Sequence, residues 1–349
     1  MIGACAAIGC QKTATDEEIA LIPKGYIHFN AAVGGTRAEL VEQMEGHNFG
    51  VSSFNYTGNW QTVQVQAKPN VFYNQQITWN ENTGLHTYSP LKEWESGKKY
   101  TFFGHYPYGN SNLTLSSNSL EGTPYLNFTL PDSATQMVDV MTASLYDTDY
   151  ALSNSVGLSF KHRLVAMGAQ ARNFNGQHEG KDVYIKLSDV SIKFTNLQYN
   201  KATISFDDTL PLERSATSGW RKEATYQLVD KNKSLIIAPT NANTGETTAV
   251  DVTGEQGTTL ILIPQEAEGE TGLQGEVTFT FDYVTSQGNK LPINNAASTG
   301  KRTMAFDTGK SMVAGRKYAL QMNFSRTSVT IAIVDSGEWV DQFVDIEFE

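Results

Sequence analysis

Apolar and polar residues alternate one for one along much of this chain. Ile27, Phe29, Ala31 and Val33 fall on one side of an extended segment, with His28, Asn30 and Ala32 on the other. Val183, Ile185 and Leu187 repeat the pattern and lead to Ile192 and Phe194. Val277, Phe279, Phe281 and Tyr283 alternate with Thr278, Thr280 and Asp282. A period of two sends successive side chains to opposite faces, so each segment predicts a strand with one buried and one solvated face. Leu260-Ile261-Leu262-Ile263 is instead a continuous apolar run stopped by Pro264, the signature of a strand buried on both sides. Val329, Ile331 and Ile333 alternate again, as do Val344, Ile346 and Phe348.

Helix signals are sparse. Residues 38–45 (AELVEQME) have room for two turns, with Thr36 as N-cap and Glu39 three residues on. Turn-rich stretches at 109–119, 241–245 and 294–300 separate the strands. The predicted class is all-β: two tandem β-sandwich domains with few short helices. The polar stretch 146–155 (YDTDYALSNS) suggests the boundary. Residues 25–155 then form an N-terminal domain and 156–349 a C-terminal one, after a leader and tether over 1–24.

Composition sharpens this picture. The 349 residues suit about two domains. Charged residues make up 18%, below the ~25% usual for soluble domains. Thr, Ser, Asn and Gln fill the gap, as on the exposed faces of extracellular β-proteins. A net charge of −11 disfavours nucleic acid and anionic membrane faces as partners. No apolar run of about 18 residues occurs, so no helical membrane span is predicted. Both cysteines, Cys5 and Cys10, lie in the first ten residues. Ala7-Ile8-Gly9-Cys10 ends a small apolar run, a setting in which signal peptidase II cuts and the cysteine is lipidated. Nine residues without Lys or Arg precede Cys10. A working signal needs a basic start and a longer apolar core. Either the start of the signal lies upstream, or Cys10 is an ordinary thiol. Residues 11–18 (QKTATDEE) then read as a polar tether.

Catalytic constellations are not recognisable. The six histidines, 28, 47, 86, 105, 162 and 178, have no metal-binding spacing. Asp147-Thr148-Asp149 lacks the rest of a calcium loop and reads as a surface turn. Gly309-Lys310-Ser311 follows Met304 where a phosphate-binding loop needs glycine. No cofactor, metal or enzymatic activity is expected.

Three segments in order carry a family likeness. They are 94–108 (WESGKKYTFFGHYPY), Asp139 to Ala143 with 156–164 (VGLSFKHRL), and 315–320 (GRKYAL) followed by Gly337-Glu338-Trp339-Val340. Together they resemble the fimbrillin family, the FimA-like and Mfa-like lipoprotein pilins of Gram-negative anaerobes. The resemblance implies two transthyretin-like β-sandwiches and a structural role as a fimbrial (pilus) subunit in cell adhesion. It also implies a precursor anchored by lipid at the outer membrane, at Cys10. An arginine-directed protease would cut at Arg37-Ala38 and release the strand of Ile27, Phe29, Ala31 and Val33. A neighbouring fimbrial subunit would fill the groove by donor-strand exchange. The donor would come from Val329, Ile331, Ile333, Val344, Ile346 and Phe348. An uncut loop at Arg37, and a last strand that stays in its own domain, are the ordinary readings of the same residues. A host or bacterial surface receptor is a further partner. The alternative is a monomeric, surface-exposed glycan-binding lipoprotein that stacks sugars on Trp60, Trp79 and Trp220.

Overall fold

The fold is seen in a computed structural model that describes residues 25–33, 44–149, 155–207, 209–215, 222–239, 249–293 and 299–338. The first half contains β1 (Phe29–Val33), β2 (Phe49–Tyr56), β3 (Phe72–Asn80), β4 (Leu85–Thr87), β5 (Lys99–Tyr106), β6 (Leu113–Leu115), β7 (Tyr125–Thr129), β8 (Met141–Asp149) and β9 (Val156–His162). Seven of these strands close into a barrel in the order β1, β4, β3, β2, β5, β8, β9. The barrel encloses an aromatic cluster that includes Phe49, Phe72, Tyr88, Tyr100, Phe102 and Phe160.

The second half contains β10 (Val165–Asn173), β11 (Gln177–His178), β12 (Lys181–Asp182), β13 (Tyr184–Leu197), β14 (Lys201–Ser205), β15 (Glu213–Ser215), β16 (Lys222–Ile237), β17 (Val250–Asp251), β18 (Leu260–Leu262), β19 (Gln274–Val284), β20 (Gly300–Asp307), β21 (Arg316–Phe324) and β22 (Val329–Glu338). One sheet runs β17, β10, β21, β22, with β18 also on β10, and another runs β16, β13, β19, β20. Their inner faces meet in a sandwich. The Phe324 ring lies 5.8 Å from Phe279 and 5.1 Å from Phe281. The alternating row Val277, Phe279, Phe281 and Tyr283 is buried, as its period requires. So is the Leu260–Ile263 run, on both faces.

The chain is all-β with few short helices, as the alternation predicts. Two of these are α1 (Trp60–Val63), capped by the Asn59 side chain on Thr62 N, and α2 (Val252–Gln256), capped by Asp251 on Gly254 N. Each half opens with the same device. Its first strand pairs in parallel with a much later one: β1 with β9, and β10 with β21.

Strand β5 explains why the segment around Phe102 does not alternate. Tyr100 and Phe102 point into the barrel, while Phe103 points out to the large cluster shared with the second half. Both faces are dry, so apolar residues follow one another. On the outer face Phe103 and His105 meet Phe206, at 5.4 and 6.4 Å between ring centres. The two halves share more than this contact. A four-stranded sheet runs β15, β14, β7, β6 and joins strands from both.

Pairing differs from the sequence reading at two points. Tyr146 to Asp149 belong to β8 rather than to a turn. Asp147, with φ of 53°, is a bulge in that strand and not part of a surface turn. Its carboxylate accepts hydrogen bonds from Tyr56 OH at 2.9 Å and Trp60 N at 2.8 Å. These contacts hold a polar residue inward, which its side-chain chemistry alone does not reveal. Strand β9 stands just past the expected boundary, and it closes the barrel between β8 and β1.

Candidate functional site

The seam of the barrel lies at β1, the first strand described. Its backbone is stitched on both sides. Towards β9 the parallel register runs from Phe29 opposite Val156 to Val33 opposite Phe160. Val156 N donates to His28 O at 2.7 Å. Towards β4 the ladder is a single pair, Phe29 opposite His86. Just before the strand, Ile27 N donates to Lys92 O and Trp94 N to Gly25 O, both at 2.9 Å. The strand is therefore held by few partners on one edge and five on the other.

Its inward side chains hold it more firmly. Ile27 and Phe29 are buried, and Ala31 packs on the same cluster. The Phe29 ring meets Tyr88, Phe72, Phe102 and Phe49 at 5.6, 5.8, 5.9 and 6.4 Å. Tyr88 OH donates to Ile27 O at 2.8 Å and accepts from Lys92 N at 3.3 Å. Burial pushes the Tyr88 hydroxyl up to about 12, so it stays protonated and keeps this donation. His86, beside the strand, is pushed down by burial and stays neutral near pH 7. Asn30 and Ala32 face outward and are exposed.

Neighbouring strands sit about 4.8 Å apart, so lifting β1 out leaves a slot roughly 10 Å wide between β4 and β9. That slot is one strand wide. Its walls are unpaired N–H and C=O groups and its floor is aromatic. The arrangement supplies main-chain hydrogen bonds and pockets for alternate apolar side chains, which is what strand addition requires. Among the described residues no group of three or more His, Cys, Asp or Glu side chains is placed to hold a metal ion.

The other expected residues distribute as follows. Ile27, Phe29 and Ala31 come together in the seam; of Val33 only the backbone is described, paired with Phe160. Val329, Ile331 and Ile333 lie in β22, paired with β21 and packed on the main core. Cys10, Arg37, Ala38, Val344, Ile346, Phe348, Trp220 and Trp339 lie outside the described residues. His162 Nδ1 sits 3.0 Å from Asp139 Oδ1. Trp60 is buried between Phe54 and Phe103, and Trp79 packs edge-on to His86. Trp60 is thus not available for a sugar-stacking face. The sequence reading missed Tyr88, Phe72 and His86. Their aromatic or ring chemistry flags core residues but carries no sign of which strand they hold.

With the fold in view, comparison with known proteins is direct. Residues 36–338 match the model of the family described as fimbrillin-like, so the chain belongs to that family. A fimbrial protein from Bacteroides vulgatus ATCC 8482 shares the fold, with a TM-score of 0.61 at 20% identity over 90% of this chain and 99% of that one. A fimbrilin (fimA) from Porphyromonas gingivalis W83 matches with a TM-score of 0.40 at 12% identity, over 92% of this chain and 100% of that one. None of the curated proteins matches this sequence.

Proposed function

We propose that this chain is a structural subunit of a surface fimbria and that subunits join by replacing β1 at the barrel seam. Membership of the fimbrillin-like family supports the fimbrial role. The observation that carries the mechanism is the seam itself: a five-residue strand near one end of the chain completes a closed barrel over an aromatic floor. Cleavage between Arg37 and Ala38 detaches that strand covalently. A neighbour's strand then enters the slot, with apolar residues at every second position. Val344, Ile346 and Phe348 have that spacing, and so do Val329, Ile331 and Ile333. The latter row already serves its own sheet through eight registered pairs between β21 and β22, which its donation would break. The precursor reaches the outer membrane as a lipoprotein through Cys10, and the assembled fibre supports cell adhesion.

Limited digestion with an arginine-specific protease tests this. The new N-terminus is read by mass spectrometry and assembly by size-exclusion chromatography. A cut after Arg37 followed by a ladder of oligomers is expected. A cut there that leaves a stable monomer would sink strand release as the trigger.

A further inference from the structure

The slot that β1 fills is not uniform along its length. At Phe29 its walls are aromatic. The ring meets Phe49 of β2, Phe72 of β3, Phe102 of β5 and Tyr88, which follows β4. The pairs with Phe49, Tyr88 and Phe102 are edge-on, at interplanar angles of 85°, 72° and 85°. An edge-on pair sets the positive rim of one ring against the negative face of another. An aliphatic side chain of similar volume does not supply that attraction.

Further along the strand the interior is already taken. Leu158 and Phe160 of β9, registered opposite Ala31 and Val33, cross to β5. A methyl group on Gly104 would lie 3.1 Å from Leu158 Cδ1 and 2.9 Å from Phe160 Cζ. Phe160 also reaches Phe49, with ring centres 5.1 Å apart. The residue of β1 at this level is Ala31, which brings no ring. Direction is fixed as well. Five registered pairs join β1 to β9 in parallel. A strand entering the other way would meet β9 antiparallel, with a different hydrogen-bond pattern.

We propose that the seam selects its filling strand through the Phe29 pocket. The inference rests on strand replacement as the mode of assembly and names the partner. It is an extended segment of a neighbouring subunit that runs parallel to β9. A phenylalanine stands opposite Val156, a large aliphatic residue two places before it and a small residue two places after. The aliphatic residue takes the site of Ile27, which is buried and whose carbonyl accepts from Tyr88 OH. Alternation of apolar and polar residues, which most strands of this fold share, does not by itself admit a segment.

The first test keeps the full chain and needs no cleavage. Phe29→Ala with Ala31→Phe moves the ring one site along and preserves composition and alternation. Exchange at the Val156 amide, which donates to His28 O, should be about a hundredfold or more faster than in the parent, as for loss of a buried Phe. Unchanged protection in β19 shows that the loss is confined to the barrel. Return of Val156 to within about threefold of the parent would overturn the inference, because a ring anywhere on the inner face would then serve. The second test uses the chain cut after Arg37 and labelled peptides, followed by fluorescence anisotropy. Residues 26–33 (YIHFNAAV) are the reference peptide. Phe29→Ala in the peptide should weaken binding about a hundredfold and Phe29→Leu about tenfold. The peptide with Phe29→Ala and Ala31→Phe, and the same residues in reverse order, should each bind at least about tenfold more weakly than the reference. No binding of the reference to the cut chain would overturn strand replacement and this inference with it. Binding of the reference, with equal binding of the Phe29→Ala, exchanged or reversed peptide, would overturn the selectivity of the pocket alone.

Discussion

Replacing Phe29 by alanine removes the one large side chain through which β1 grips all sides of the barrel floor. The ring is 6% exposed and touches four aromatic neighbours within 6.4 Å. Deleting a buried phenylalanine costs about 3–5 kcal/mol, and aromatic pairs add to the loss beyond buried area. The weak pairing on the β4 side lets the seam relax more readily than the rest of the barrel, which favours the lower end, about 3 kcal/mol. The loss should be local before it is global, because β1 is bonded to β4 at a single pair. Native-state hydrogen exchange is the suitable assay. The Val156 amide, which donates to His28 O, should lose protection by a factor of about 100 or more, the equivalent of that energy. Asn30→Ala, on the exposed side of the same strand, should stay within about 0.5 kcal/mol of the parent. If Phe29→Ala left Val156 protection within threefold of the parent, β1 would not be the strand that closes the barrel in solution.

Three further outcomes follow from particular contacts. Tyr88→Phe removes the donation to Ile27 O and should cost about 1 kcal/mol in urea unfolding, with faster exchange at Ile27; no change in either would mean that the hydroxyl does not hold the strand. Gly50→Ala places a methyl group within 2.6 Å of His105 Nε2 and closer still to Cε1, so overpacking should destabilise by about 1–3 kcal/mol, and a neutral result would show that the ring moves freely. His105 is fully buried, its Nδ1 has no hydrogen-bond partner among the described atoms, and burial pushes its pKa down from 6.5 to about 4. The fold therefore holds the neutral ring. Its contribution is complete above pH 6.5 and is lost as pH falls through that value towards 4, because the unfolded chain takes the proton first. Between pH 7 and 5 the loss should be about 2 kcal/mol, reduced in His105→Leu; identical pH slopes for parent and variant would refute it.

Much of this molecule can be read from its residues, and what cannot has a common cause. Strand β19 is legible because Val277, Phe279, Phe281 and Tyr283 face one core and their neighbours face water. Strand β18 is legible because Leu260 to Ile263 face two. Strand β5 is harder: Phe102 and Phe103 serve different cores, and only the presence of both cores explains the pair. The alternation of β1 shows a strand but not its neighbours. Phe29 and Val156 are far apart in sequence, and a parallel partner leaves no local turn to announce it. The bulge at Asp147 was hidden because an Asp beside Thr and Tyr favours turns, and only the Tyr56 and Trp60 donors turn it inward.

The central claim is that β1 must leave the seam for subunits to join. A reversible lock tests it most directly. Ala32 and Ser159 are registered partners on β1 and β9, and both side chains are exposed. The sequence has no cysteine after Cys10, so an Ala32→Cys and Ser159→Cys pair introduces the only thiols of the body. Oxidised, the strand stays bound even after cleavage at Arg37; reduced, it is free to go. The account predicts monomers from the oxidised, protease-treated chain and a ladder of oligomers once reductant is added. Oligomers of equal yield from the locked chain would contradict it.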